Sequence, residues 1–308
     1  MVGASVAGVT WSDVDEAGLR ALAPEAFGAF DAVEAAVRSQ PDPALVRLLA
    51  DHIAALLGEA SATRPSPVSP GPAAPPGRST AEQVALDTAT QFVLDVAATT
   101  DAQRGALNEA FGPAAFDLAQ VLYALDFGVR LRAAFGQVLG VAGPSPRPPV
   151  EPLGLWPALQ AMMGAVARLG AVDPVTTELV RLRGARTHNC RLCRSRRSVG
   201  ALAGGADEST FDQIDRYETS DLAERRKVAL RLTDAMIWEP VRFPAGLAGQ
   251  VRAEFEPAEA VELILDVARN ATNKIAVLFG ADQANVTDGV EYFEVDARGE
   301  VVVTGRAG

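Results

Sequence analysis

Apolar residues recur three and four positions apart along most of this chain of 308 residues, in which runs of β-branched residues are short. This spacing places apolar side chains on one face of an α-helix, and the abundant alanine and leucine favour helical backbone. The clearest stripe predicts one helix over 258–279, between Pro257 and Gly280. The segment 290–303 alternates instead, which predicts a small peripheral hairpin that turns at 297–299. We therefore expect an all-α fold with a small C-terminal β-hairpin.

The formal net charge of -11 at pH 7 argues against a nucleic-acid or anionic-membrane partner. Binding to phosphate needs clustered positive charge, which this surface mostly lacks. The N-terminal residues have no basic start followed by an apolar run, and no later segment has the uncharged length that crosses a bilayer. We expect a cytoplasmic protein with neither partner. No glycine motif of the phosphate-cradling kind and no plausible metal cluster is present in the sequence, so no cofactor is expected.

Two proline-rich segments divide the chain, at 61–80 and at 143–152. Proline removes backbone donors and favours an extended chain, so the first segment predicts a disordered loop and the second an interdomain linker. Four parts are predicted. They are a degenerate helical repeat over 12–137 that contains the loop, a linker over 138–152, a complete helical repeat over 153–285, and a hairpin or tail over 286–308.

The two halves resemble each other in sequence, which indicates a tandem repeat. FGPAA at 111–115 echoes FEPAE at 255–259, and Phe135-Gly136 echoes Phe279-Gly280, both 144 positions apart. Upstream, Asp42-Pro43 and Asp173-Pro174 correspond at a shift of 131. At that shift Arg47 stands in place of Glu178, and Glu59 in place of Cys190. The leading copy is therefore predicted to be a scaffold without the chemistry of the trailing copy.

The two cysteines of the chain, Cys190 and Cys193, form a CxxC pair. A reactive thiol must ionise, which a helix N-terminus or nearby positive charge favours. Thr187, His188 and Asn189 offer capping side chains immediately before the pair, so it is predicted to begin a helix. A concentration of arginines surrounds it, and we expect these to lower the thiol pKa: Arg181, Arg183, Arg186, Arg191, Arg194, Arg196 and Arg197. The spacing allows a disulfide to form after oxidation of one sulfur to sulfenic acid.

The stretch ELVRLR at 178–183, followed by NCRLC at 189–193, resembles the alkylhydroperoxidase D and carboxymuconolactone decarboxylase family. That family's signature is a glutamate about a dozen residues before a CxxC, and Asn273-Lys274 matches a later motif. The resemblance spans roughly 153–285 and implies AhpD-like helical repeats that assemble into homo-oligomers. In its redox branch the second cysteine attacks peroxide, the first resolves it, and a glutamate and a histidine relay protons. Cys193, Cys190 and Glu178 match those roles.

The relay histidine of the family does not match this chain. Its place, four residues after Cys193, is occupied by Arg197, which cannot exchange a proton near neutral pH. Arg197 is expected to stabilise a thiolate instead. His188 is the only local substitute, either as a displaced member of the relay or as a histidine that caps a helix or faces solvent.

Other interpretations of these residues remain open. The cysteines can be a buried, inert pair, and a zinc site is less favoured because only His188 and His52 could add ligands. Glu178 can be a helix-surface carboxylate paired with Arg181. The arginines can form a solvated face or an anion-binding patch.

Three classes of function follow. The leading one is a thiol-dependent antioxidant oxidoreductase that reduces hydroperoxides or exchanges disulfides, with a small-molecule or hydroperoxide substrate and an external dithiol reductant. The second is a lactone-processing or decarboxylase-like enzyme, in which arginines hold a carboxylated substrate and Glu178 moves a proton. The third is a non-catalytic oligomeric binding protein. Replacement of both cysteines should abolish the first activity and spare the other two.

Overall fold

The computed structural model of the protein describes residues 9–60, 77–141, 143, 145–149 and 151–307. Most of the proline-rich loop predicted over 61–80 lies outside these residues. Within them the chain is mostly helical, with one small sheet close to the C-terminus. None of the helices in these segments combines the length and hydropathy that a bilayer crossing requires.

The helices of the leading half, within the described residues, are α1 Glu16–Leu22, α2 Pro24–Arg38, α3 Pro43–Ala60, α4 Thr80–Asp95, α5 Asp101–Phe111 and α6 Ala115–Leu139. Those of the trailing half are α7 Leu155–Ala167, α8 Pro174–Thr187, α9 Arg191–Arg194, α10 Val199–Ala203, α11 Glu208–Asp212, α12 Glu224–Trp238, α13 Leu247–Glu254, α14 Pro257–Asn270 and α15 Asn273–Leu278. Short 3-10 helices occur at Trp11–Asp13, Val96–Ala98, Gly112–Ala114 and Gln213–Thr219.

Local sequence signals fix several helix ends. Asp173 caps α8 by accepting a hydrogen bond from the backbone N of Thr176, and Pro174 follows as the first helical residue. Ser79 and Glu82 form a reciprocal capping box at the start of α4. The α6 helix ends at Gly140, whose φ of 77° is accessible to glycine at little cost. These helices therefore begin and end where capping chemistry predicts.

One cluster of buried apolar side chains runs through both halves. The α2 helix packs against α7, and α6 packs against α14. Phe27 of α2 contacts Phe135 of α6 with ring centroids 5.7 Å apart, and the Tyr123 hydroxyl of α6 donates to the Ala268 carbonyl of α14 over 2.7 Å. The two predicted repeats thus share a core.

The predicted linker contacts the leading half. Arg20 on α1 forms a buried, two-bond ion pair with Asp31 of α2 and also donates to the carbonyl of Ser145. The backbone N of Arg147 donates to the same Asp31 carboxylate over 3.0 Å. These contacts anchor the connection between α6 and α7.

The prediction of one helix over 258–279 is wrong, because the chain breaks between α14 and α15. The Thr272 hydroxyl donates to the carbonyl of Arg269 over 2.8 Å. The next turn is tighter than an α-helix, since the backbone N of Lys274 bonds to the carbonyl three residues earlier, at Ala271. The apolar stripe continues across the break, so periodicity alone did not reveal it. The break positions Asn273 at the start of α15.

The predicted hairpin is present and is formed by β2 Val290–Val295 and β3 Val301–Ala307. A third strand, β1 Arg196–Ser198, pairs with β2 in parallel and was not predicted. The interpretation of the hairpin as peripheral is wrong, because its turn packs against α7. A Cβ atom added to Gly164 of α7 would lie 2.8 Å from the carbonyl oxygen of Arg298, so the turn sits directly on the helix backbone.

Candidate functional site

The CxxC pair lies directly after α8. The chain changes direction at Asn189, between the end of α8 and Cys190. Asn189 has a φ of 52°, in the left-handed region that asparagine tolerates better than most residues. Cys190 then caps the four-residue helix α9, and its Sγ accepts a hydrogen bond from the backbone N of Cys193 over 3.3 Å. The two cysteines form a disulfide with Cα atoms 5.3 Å apart.

The two sulfurs differ in their surroundings. Cys190 is 1% exposed, whereas Cys193 is partly exposed. A reagent arriving from outside therefore meets Cys193 first, while Cys190 lies behind it. This arrangement suits one attacking and one resolving sulfur.

Both cysteines line a cavity of about 840 Å³, which we call the cysteine cavity. Its walls come from α7, from the CxxC segment, from the junction of α14 and α15, and from the hairpin. The apolar part of the wall includes Trp156, Met163, Leu192, Ala276, Phe293 and Val301. Arginines supply positive charge at Arg181, Arg196, Arg269 and Arg298. The cavity is within the size range of small-ligand sites.

Glu178 is 1% exposed, and both of its carboxylate oxygens accept hydrogen bonds. Arg181 donates two hydrogen bonds to the carboxylate, at 2.6 and 2.7 Å, and the backbone N of Ser198 donates a third at 3.1 Å. Arg181 in turn donates to the carbonyl of Cys193 over 2.8 Å and lies over the ring of Phe293. Glu178 is therefore paired with Arg181, as the alternative interpretation has it, but inside the protein rather than on its surface.

Hydrogen bonds connect His188 through Asn273 to Cys193. Nδ1 of His188 lies 2.9 Å from Oδ1 of Asn273, and Nδ2 of Asn273 lies 3.7 Å from Sγ of Cys193. Of the two alternatives to a relay histidine, one that faces solvent is wrong, because His188 is only 7% exposed, whereas His188 does occupy the C-cap position of α8. Burial, with the nearby Lys274 ammonium, lowers the pKa of His188 to about 3. The imidazole is thus neutral at neutral pH, and its Nδ1 can donate to Asn273.

Arg197 does not line the cysteine cavity. Its guanidinium donates two hydrogen bonds to Glu208 and lies 5.3 Å from the ring centroid of Phe211. The carboxylate neutralises its charge, so the structure does not bring Arg197 to the sulfurs as a thiolate stabiliser. Its guanidinium instead joins α11 to the backbone around β1.

Most other arginines of the predicted cluster are also engaged elsewhere. Arg183 pairs with Asp234, Arg186 with Asp215, and Arg191 with Asp282. Arg194 donates to the side chain of Asn189. The prediction that capping side chains precede the pair is likewise wrong, because Cys190 itself is the cap. Of the arginines expected around the thiols, Arg181 and Arg196 line the cysteine cavity.

A buried charged cluster behind His188 was not predicted from the sequence. Asp126 of α6 accepts hydrogen bonds from Arg130 at 2.6 Å and from Lys274 at 2.7 Å, and all three side chains are almost fully buried. Burial alone would raise the pKa of Asp126, but the two cations outweigh burial and lower it. Burial lowers the pKa of Lys274 to about 8. Arg130 and Lys274 are 144 positions apart, the same shift as that of the predicted repeat.

The described residues contain no group of three or more histidine, cysteine or carboxylate side chains arranged to hold a metal ion. The two histidines of the chain bond to other side chains instead of adding ligands to the cysteines. His188 bonds to Asn273, and His52 bonds to the hydroxyl of Thr90 in the leading half over 2.8 Å.

The chain is similar to two proteins of Mycobacterium tuberculosis. "Uncharacterized protein Rv2313c" of strain ATCC 25618 / H37Rv is 42% identical to it over 233 residues, which cover 73% of this chain and 81% of the relative. "Uncharacterized protein MT2376" of strain CDC 1551 / Oshkosh matches with the same identity and coverage. No protein-family model matches the chain, and no solved structure matches it. The identity and the coverage show that this chain belongs to the same family as these two mycobacterial proteins.

Proposed function

We propose that this protein is a thiol-dependent hydroperoxide reductase of the alkylhydroperoxidase D type. The observation that carries the proposal is the disulfide itself, with one buried and one partly exposed sulfur on the wall of a cavity large enough for an organic substrate. A buried inert pair would have no such access. The proposal joins this geometry to the resemblance around Glu178, Cys190 and Cys193.

The reaction begins from the reduced dithiol. The Cys193 thiolate attacks the distal oxygen of the hydroperoxide ROOH, the O–O bond breaks, and the departing alkoxide takes a proton to become ROH. Cys193 is then a sulfenic acid. The Cys190 thiol attacks that sulfur, the disulfide forms, and water leaves. An external dithiol reduces the disulfide by exchange, so each turnover consumes one ROOH and one dithiol and yields ROH, water and one disulfide.

Asn273 supports this reaction by its contact with the attacking sulfur. Nδ2 of Asn273 is a donor, and a hydrogen bond from a donor favours the ionised form of Cys193. Neutral His188 holds the amide in this orientation through Oδ1. We propose that His188 is a positioning residue rather than a displaced acid or base.

Glu178 is proposed to position Arg181. Both of its oxygens accept bonds from Arg181, one of them also accepts a bond from the backbone of Ser198, and Glu178 does not line the cysteine cavity, so the carboxylate is committed to Arg181 rather than to either thiol. Arg181 fixes the backbone of Cys193 by its bond to the carbonyl. The lactone-processing alternative needs a mobile proton on Glu178, and the same bonds disfavour it.

We further propose that the fold arose from two tandem repeats. The first residues of α2 and α7, and of α3 and α8, are each 131 positions apart. The first residues of α4 and α12 are 144 positions apart. Corresponding helices also pack on each other, α2 on α7 and α6 on α14, as they would about an approximate twofold axis. The homo-oligomer implied by the resemblance stays a prediction.

Steady-state turnover tests the proposed function. With dithiothreitol as reductant, the wild-type protein should consume tert-butyl hydroperoxide, and Cys193→Ser should not. Cys190→Ser should form a sulfenic acid that dimedone traps but should not form the intramolecular disulfide. Circular dichroism checks that both variants are folded. Equal consumption of hydroperoxide by wild type and Cys193→Ser would rule the proposal out.

A further inference from the structure

Arg269 on the wall of the cysteine cavity has no ion-pair or hydrogen-bond partner for its guanidinium within the part of the chain that the structure describes. It is partly buried near the end of α14. An arginine withdrawn from water without a carboxylate bonded to its guanidinium carries a cost that is only partly compensated, because burial disfavours its charge. Burial accordingly lowers the pKa of Arg269, although the group stays charged. A ligand that brought an acceptor would relieve this cost.

The other arginines of the cavity wall are neutralised. Arg181 bonds to Glu178, Arg196 to Glu291, and Arg298 to Asp296 and Glu300. The cavity carboxylate Asp282 is matched by Arg191 from outside the lining. Among the described residues, Arg269 is therefore the arginine of the cavity wall whose guanidinium has no carboxylate bonded to it.

Asp266 does not fill the role of counter-ion. It lies on α14 one turn before Arg269 and attracts it, but no ion pair joins them, and Asp266 does not line the cavity. Burial raises the pKa of Asp266 to about 7, so near neutral pH it carries only part of a charge. The guanidinium remains open to an anion from the cavity.

A second unmatched donor lies beside the first. Asn270 also lines the cavity, and its buried Nδ2 has no hydrogen-bond partner among the described residues. A buried amide donor normally finds an acceptor. This atom is closed off from the cavity, so Arg269 is the donor that a ligand can reach, and the fork of its guanidinium matches the two oxygens of a carboxylate.

The part of the ligand away from the carboxylate is expected to be apolar. Trp156 and Met163 of α7 and Phe293 and Val301 of the hairpin give the same cavity an apolar wall. An apolar body is stabilised there by its removal from water. The ligand chemistry that fits is therefore a carboxylate attached to an apolar body.

We infer that the cysteine cavity takes an organic hydroperoxide that carries a carboxylate, of the fatty-acid hydroperoxide class, with the carboxylate on Arg269. This inference rests on the proposed function for its peroxide and on the cavity for its carboxylate. Uncharged alkyl hydroperoxides remain substrates but lack the anchoring contact, so they bind more weakly.

Equilibrium binding tests the carboxylate site without turnover. The oxidised protein is titrated with a hydroxyoctadecadienoic acid and with its methyl ester, and binding is followed by tryptophan fluorescence because Trp156 lines the cavity. The acid should bind at least about tenfold more tightly than the ester, as one charge-assisted hydrogen bond provides. Arg269→Gln should lose this preference and bind the ester as the wild type does. Arg298→Gln, a cavity arginine with its own carboxylates, should keep the preference.

Equal affinity of the wild type for acid and ester, or a preference that survives in Arg269→Gln, would overturn the inference. A kinetic comparison then separates it from the proposed function. The reduced wild type should consume linoleic acid hydroperoxide about tenfold more efficiently than its methyl ester, and Arg269→Gln should not discriminate between them. Selective binding of the acid with no consumption of either hydroperoxide would support the carboxylate site and contradict the peroxidase.

Discussion

Asp266 is a buried carboxyl group with one oxygen, Oδ2, that has no hydrogen-bond partner in the described part of the chain. Burial raises its pKa to about 7, whereas an unfolded aspartate titrates near 3.9. Between these two pH values the folded protein binds more protons than the unfolded chain. The free energy of unfolding contributed by Asp266 therefore falls as the pH rises from about 4 to 7.

Asp266→Asn should remove this loss, because the amide has no charge to bury. We expect the variant to unfold with about the wild-type free energy near pH 4, and to be more stable by roughly 1 to 3 kcal/mol at pH 8. Urea unfolding across that range measures the difference. Burial also raises the pKa of Glu262 to about 8, so part of the dependence of stability on pH remains in both proteins. Parallel curves for the two proteins would show that Asp266 is not the source.

At the scale of single residues, the sequence predicted what lies close along the chain. The CxxC spacing is local, and so is the pairing of Glu178 with Arg181, which the sequence offered only as an alternative to a catalytic Glu178. The contact of His188 with Asn273 joins residues 85 positions apart and depends on how α8 packs on α14. No pattern around His188 indicates that partner, which is why its burial was not foreseen.

The hairpin is the element that completes the cysteine cavity, and its turn depends on glycine. Gly164 lies inside α7, where alanine would normally stabilise a helix. Here an added Cβ would lie 2.8 Å from the carbonyl oxygen of Arg298, too close for a real contact. The turn must move away from α7 to admit it.

Gly164→Ala should therefore destabilise the protein by about 1 kcal/mol and loosen the hairpin, even though it adds a helix former. Gly105→Ala on exposed α5, where nothing lies within 4 Å of the added Cβ, is the matched control and should stabilise by about 0.5 to 1 kcal/mol. Thermal unfolding gives the stabilities, and amide exchange over 290–307 reports the hairpin. Equal gains in stability from both substitutions would show that the turn does not depend on contact with α7.

The elements themselves were predictable where their signals are local. Asp173-Pro174 marks the start of α8, and alternation marks β2 and β3. Strand β1 has three residues within an arginine-rich stretch, and it is a strand because β2 pairs with it from almost a hundred positions away. The break after α14 depends on a threonine hydroxyl rather than on apolar spacing. Strand β1 was missed because a tertiary contact decides it, and the break was missed because apolar spacing carries no signal for a local side-chain hydrogen bond.

On the scale of the whole molecule, the leading half contributes to the site that the trailing half carries. Arg130 of α6 donates to the carbonyls of Val93, Met236 and Ile237, and so joins the ends of α4 and α12. Asp126 holds Lys274 beside His188. The prediction of a leading half that serves as scaffold omitted this cluster, because its members become neighbours only when the halves pack together.

The CxxC pair is proposed to be a redox centre whose substrate binds in the cysteine cavity. The most direct test is a thiol count on the fully reduced protein before and after one equivalent of tert-butyl hydroperoxide. We predict that both thiols are lost as an intramolecular disulfide, much faster than free cysteine reacts at the same pH, and that Asn273→Ala slows the loss. Two thiols that persist in a folded protein, or that react no faster than free cysteine, would contradict the claim.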